Sequence, residues 1–99
     1  MAKATANYES VVIFSVMNGE ENITALTEKF KSLISENGTI TNVEEWGKRR
    51  LAYPINDEAE GYYLFVEFGC APEFPAELDR IYKITDGVLR SLIVVKNED

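Results

Sequence analysis

The chain has 99 residues, 45% of them apolar, enough for one hydrophobic core with little left for a second. Its 17 acidic against 10 basic residues give a formal charge of -7, which excludes attraction to nucleic acid or anionic lipid over the whole surface and leaves room only for a local patch. With one cysteine, Cys70, and no histidine, there is no internal disulfide, thiolate-imidazole pair or histidine metal ligand, and a reducing, intracellular setting fits best.

The opening MAKATANYES has no apolar run behind its lysine, and no window approaches the roughly 18 apolar residues of a membrane span, so the chain reads as soluble and untargeted. Residues 8–16 (YESVVIFSV) are rich in β-branched and aromatic types and end at the turn-forming MNG, which predicts a strand. Their nearly continuous apolar character predicts a central place in a sheet. Ile23, Leu26, Phe30, Leu33 and Ile34 then recur at helical spacing, with Glu20 and Glu21 at the positive N-terminal end and Asn37-Gly38 as the stop.

Residues 39–55 form the longest extended segment. Gly47 inside it predicts a bulge or a close backbone approach, and Pro54, which cannot donate to a ladder, marks the strand's end or an edge position. After a polar connection at residues 56–61, residues 62–68 (YYLFVEF) predict a third strand, paired with the second as an antiparallel hairpin. Pro75 opens a short helix carrying Leu78, Ile81 and Tyr82 at i, i+3 and i+4, which ends near Thr85-Asp86-Gly87. Residues 88–96 (VLRSLIVVK) supply a fourth strand, and residues 97–99 are a stub too short to carry structure. The order β-α-β-β-α-β is the split βαβ arrangement called ferredoxin-like, an α+β fold with two helices on one face of a four-stranded antiparallel sheet. We expect a single domain over residues 1–99, with a core of about residues 8–96 and short flexible ends.

Catalytic equipment is thin. There is no Gly-rich phosphate loop, and Cys70 stands between a glycine and an alanine with no base nearby, so it reads as a packed or loop thiol. The acidic pairs Glu20-Glu21 and Asp57-Glu58 lie at a helix start and in a loop, where carboxylates serve solvation.

The segment EEWGKRRLAYPI (residues 44–55) breaks with this acidic background. Strand alternation sends Lys48 and Arg50 to one side and Arg49 to the other, so three cations on a bend can straddle a phosphate backbone, with Trp46 and Tyr53 as flanking faces for stacking. The competing reading makes the cations edge protection and puts Trp46 and Tyr53 in the core. Arg90, a lone charge in an apolar strand, needs solvent, an anionic partner or a carboxylate; Glu9 is a candidate if the fourth strand lies beside the first. GYYLFVEF (residues 61–68) approximates the RNA-recognition-motif octamer, but Glu60 stands where a basic residue belongs and the aromatics fit only with one extra residue. Core packing explains these aromatics more simply.

EEWGKRRLAYPI followed closely by GYYLFVEF, with YE opening the first strand and ITDGVLRSLIVVK closing the chain, resembles the bacterial-type ribosomal protein six family of the small subunit, over about residues 8–96. The resemblance implies a ferredoxin-like, non-enzymatic, cytoplasmic ribosome-bound protein. It implies binding to the central domain of small-subunit rRNA as a heterodimer with a small basic ribosomal protein, the eighteenth of the series. Carried over by motif position, it implies rRNA contact for Lys48, Arg49 and Arg50, and for Trp46 and Arg90; no cofactor is implied. The longer C-terminal tail of many members has no counterpart here, so no partner contact is assigned to it. Two other classes are weighed beside this one: a protein-only or regulatory interaction module without RNA binding, and a small phosphatase of the same fold using Arg49 and Asn56.

Overall fold

β1 (Ala6–Ser15) and β3 (Glu58–Cys70) organise the molecule, because each alternates a buried row with a row on the opposite face. Tyr8, Ser10, Val12 and Phe14 of β1 share the buried side with Leu64, Val66, Phe68 and Cys70 of β3. The computed structural model describes residues 6–55 and 58–96; the lead before Ala6, Asn56 and Asp57 of the polar connection, and the stub at 97–99 lie outside the described residues.

The sheet order is β2-β3-β1-β4, with β2 (Gly38–Ile55) and β4 (Val88–Val95) on the two edges. All three pairings are antiparallel, and β1 takes the central place expected of its apolar run. α1 (Gly19–Asn37) lays Ile23, Leu26, Phe30 and Ile34 on the buried face, and α2 (Phe74–Ile84) adds Phe74, Leu78 and Tyr82, so both helices share one core with that face. Phe30 sits between the rings of Tyr82 and Phe14, at centroid distances of 4.6 and 6.1 Å. In this apolar setting the Tyr82 and Ser10 hydroxyls satisfy each other at 2.8 Å. No helix among the described residues is long and apolar enough to cross a membrane.

α1 stops at Asn37-Gly38 as the sequence indicates, but Gly38 is not a left-handed cap: it is extended (φ -173°) and already begins β2, while the Asn37 side-chain amide closes the helix by donating to the Leu33 carbonyl at 2.9 Å. The glycine is required by proximity instead, since a Cβ there would overlap the Gly69 carbonyl oxygen of the neighbouring strand. β3 begins at Glu58 rather than Tyr62, because the hairpin ladder continues through Arg49 opposite Gly61, Arg50 opposite Glu60 and Ile55 opposite Glu58. Pro75 does lie in the first turn of α2.

Gly38→Ala should therefore destabilise the fold by about 1–3 kcal/mol, as overpacking against a backbone atom does; the urea midpoint of the variant measures it. Burial pushes the Tyr82 phenol up to about 12, with the Ser10 hydroxyl opposing the shift. Its contribution is complete below the ordinary phenol value of 10.0 and is lost as pH rises toward the folded value. Denaturant titrations at pH 10 and 12 should show a loss on the order of 2–3 kcal/mol from this group. Tyr82→Phe should be about 1 kcal/mol weaker at pH 7, with Ser10 unpaired, yet flatter across the alkaline window.

Candidate nucleic-acid interface

The edge strand β2 is irregular at three places in its pairing with β3, and two of them build the site. The first falls between Glu45 and Gly47. Gly47 has φ +85°, with no heavy atom of the described residues near the place its Cβ would take, so here glycine is needed for conformation. The bulge swings Trp46 onto the sheet face away from the helices, where its ring stacks on Phe65 at 5.2 Å and 9° and on Tyr63 at 6.4 Å and 24°. Beyond it the ladder resumes, with Lys48 opposite Tyr62, Arg49 opposite Gly61 and Arg50 opposite Glu60.

The expected division of the three cations follows from this register. Arg49 lies on the open face over the Trp46 ring, its Cζ 5.8 Å from the centroid, and its Nε donates to the Trp46 carbonyl at 3.4 Å. Lys48 falls on the helix side and lines a cavity of about 450 Å³ with Glu45, Tyr62 and residues of α1. None of Lys48, Arg49 and Arg50 has an ion-pair partner among the described residues. All three are exposed.

Neighbouring carboxylates are held in place by hydrogen bonds. The Trp46 indole donates to Glu44 at 2.9 Å, and the Asn42 amide adds a second bond of 2.9 Å, which together keep the Glu44 carboxyl below its usual range. The Tyr62 hydroxyl donates to Glu45 at 2.6 Å, an interaction that pushes the phenol up to about 12.

The second irregularity falls between Arg50 and Ile55, where residues 51–54 stand opposite only Ala59. This excursion folds over the open face: Leu51 is buried near Ile13 and Gly61, and the Tyr53 hydroxyl accepts a hydrogen bond from Arg90 of β4 at 3.2 Å. Tyr53 thus reaches across β3 and β1 to the far edge strand. Arg90 does not pair with Glu9. β4 lies beside β1 as supposed, but the register puts Arg90 opposite Ile13 and Glu9 opposite Val94, four residues along.

Trp46 and Tyr53 are not core residues either, at 38% and 62% exposed. The aromatics of GYYLFVEF divide by alternation. Phe68 enters the core, while Tyr63 and Phe65 lie on the open face beneath Trp46. Sequence reasoning missed Tyr63 and Phe65 as a platform, although the period of two through residues 62–68 separates them from Leu64 and Val66. Nothing local signalled the Tyr53 to Arg90 contact, which depends on the length of the excursion.

Flat rings flanked by guanidinium groups can stack and hold anions; they supply no nucleophile or proton relay. Cys70 is buried, and burial pushes its thiol up, away from reactivity. Asn56, the other residue of the phosphatase reading, lies outside the described residues. The chain is thus a ferredoxin-like protein with exposed cations and a stacked aromatic platform on its edge hairpin and open sheet face.

Its sequence matches the family described as Ribosomal protein S6 over residues 7–95. It is 51% identical to the small ribosomal subunit protein bS6 of Caldanaerobacter subterraneus subsp. tengcongensis over 89 residues, 89% of this chain and 94% of that protein. Identity to the Clostridium novyi protein of the same name is 49%, with the same coverage. The crystal structure of 30S ribosomal protein S6 from Thermotoga maritima superposes with a TM-score of 0.88 at 32% identity, covering 94% of this chain and 89% of that one. The chain belongs to the ribosomal protein S6 family, structural and non-enzymatic components of the small ribosomal subunit, and its place is on the ribosome in the cytoplasm.

If the indole is what holds Glu44, Trp46→Phe should raise the Glu44 pKa toward the ordinary carboxylate value, as followed by NMR titration of its side-chain carboxyl. An unmoved titration would leave Asn42 as the sufficient cause.

Proposed function

We propose that this protein binds the central domain of small-subunit rRNA as a heterodimer with the small basic ribosomal protein eighteen, and that Lys48, Arg49 and Arg50 meet the phosphate backbone, with Trp46 and Arg90 beside them. One observation carries the reading. In a chain of net charge -7, three consecutive cations are exposed on both sides of one edge strand, and none is spent on an ion pair among the described residues. Edge protection alone accounts for exposed charge. It does not account for a guanidinium laid over an indole that is itself stacked on two further rings.

A protein-only reading draws on a different feature, the exposed apolar side chains Leu92 and Val94 of β4. The heterodimer accommodates them, since a basic protein partner is attracted by the acidic body while the few cations meet phosphate. The two readings part on RNA dependence: a ribosomal protein travels with small-subunit particles through a sucrose gradient, whereas a protein-only module migrates free of them.

The test is binding to a central-domain rRNA fragment, with and without the partner protein, across a salt series. Replacing Lys48, Arg49 and Arg50 together by alanine should leave the fold intact and reduce the slope of log affinity against log salt by roughly two to three units. An unchanged slope removes the cluster from the RNA site.

A further inference from the structure

We infer that the cleft enclosed by Tyr53, Tyr63 and Arg90 on the open sheet face receives a single unstacked RNA base. This rests on the rRNA-binding reading above and adds a base-contacting site to its phosphate contacts. The cleft has a volume of about 130 Å³ and lies under the 51–54 excursion, with Ile13, Leu51 and Ile55 as apolar walls and Tyr63 as an aromatic one. That is room for one planar ring system and too little for a length of chain.

The polar groups suit the same occupant. Arg90 gives one N–H to the Tyr53 hydroxyl, and its remaining guanidinium donors have no carboxylate partner among the described residues. They are available to the phosphate or the edge of a bound nucleotide. The Tyr53 ring is mostly exposed while its hydroxyl is tied, so it is oriented without being packed, as a stacking face must be.

The layout of the whole face supports an anionic occupant at this end. Reading across the sheet, one row holds Asn42, Glu67, Glu9 and Val94, and the next holds Glu44, Phe65, Val11 and Leu92. The following row brings Gly47, Tyr63, Ile13 and Arg90 together, with Arg49 one step beyond Gly47's pairing position. Carboxylates thus occupy the first two rows, and among the described residues no carboxylate lines the cleft. An apolar side chain from a protein would fit the walls but leave Arg90 without a counter-charge; a nucleotide satisfies both.

The full chain, titrated in NMR with each of the four nucleoside 5′-monophosphates and with inorganic phosphate, tests the assignment. We expect saturable shifts of the Ile13 methyls and the Tyr53 and Tyr63 rings with at least one nucleotide and none with inorganic phosphate. Affinity should fall about ten-fold or more in Tyr53→Ala and be largely restored in Tyr53→Phe, which keeps the ring. Unmoved core signals certify that the variants are folded. Shifts confined to Lys48, Arg49 and Arg50 and equally produced by inorganic phosphate overturn the proposal. So do cleft signals that move only when the partner protein is added, which would make the cleft a protein contact.

The rRNA fragment separates this idea from the one beneath it. Tyr53→Ala should weaken binding about ten-fold without changing the salt slope. If that variant binds as wild type while the triple cation variant loses its slope, the base site falls and the rRNA reading stands. If wild type shows no rRNA binding with or without its partner while nucleotides still fill the cleft, the rRNA reading falls instead.

Discussion

The register between β2 and β3 is the constraint on which the surface depends. Side chains alternate along a strand, so a slip of one residue would carry Arg49 toward the helices and Lys48 onto the open face. Three devices pin the pairing. Gly38 is pressed against the Gly69 carbonyl at one end, Gly47 makes a bulge in the middle, and residues 51–54 loop out at the other end. Each admits one alignment comfortably, so the stacking of Trp46 and the division of the cations follow from backbone geometry rather than from pairwise attraction between side chains.

Most of the architecture was legible in the sequence because it rests on local period. The helical stripe from Ile23 to Ile34, the alternation in YYLFVEF and the interruption at Gly47 each predicted their element, and the strand order placed β1 centrally as its apolar run implied. What stayed hidden depends on offsets between distant strands. Whether Arg90 meets Glu9 or Tyr53 turns on a register between β1 and β4 that neither strand contains by itself. Gly38 marked the end of α1 correctly, but its reason stayed hidden: a glycine after a helix and a glycine required by a neighbouring backbone look alike until that neighbour is placed.

The distribution of charge gives the open face a direction. Glu44 and Glu67 are held by hydrogen bonds at one end, with Asn42 bridging the two and Lys96 bonded to Glu67, while the arginines lie toward the hairpin end. A polyanion approaching this face is repelled at one end and drawn to the other, so orientation is set by repulsion as much as by attraction. A strongly acidic total charge is thus compatible with a locally cationic end on one face.

The central position of β1 also has a meaning for biosynthesis. β1 finds its two ladder partners only in Gly61–Cys70 and in β4. Loop closure over such separations slows folding, and a nascent chain exposes VVIF without a pairing partner until most of its length has been translated. The sheet acquires its β4 edge only after the other three strands have been made. β1 thus waits for both of its ladder partners, and until they are made its apolar residues have only α1 to shelter them.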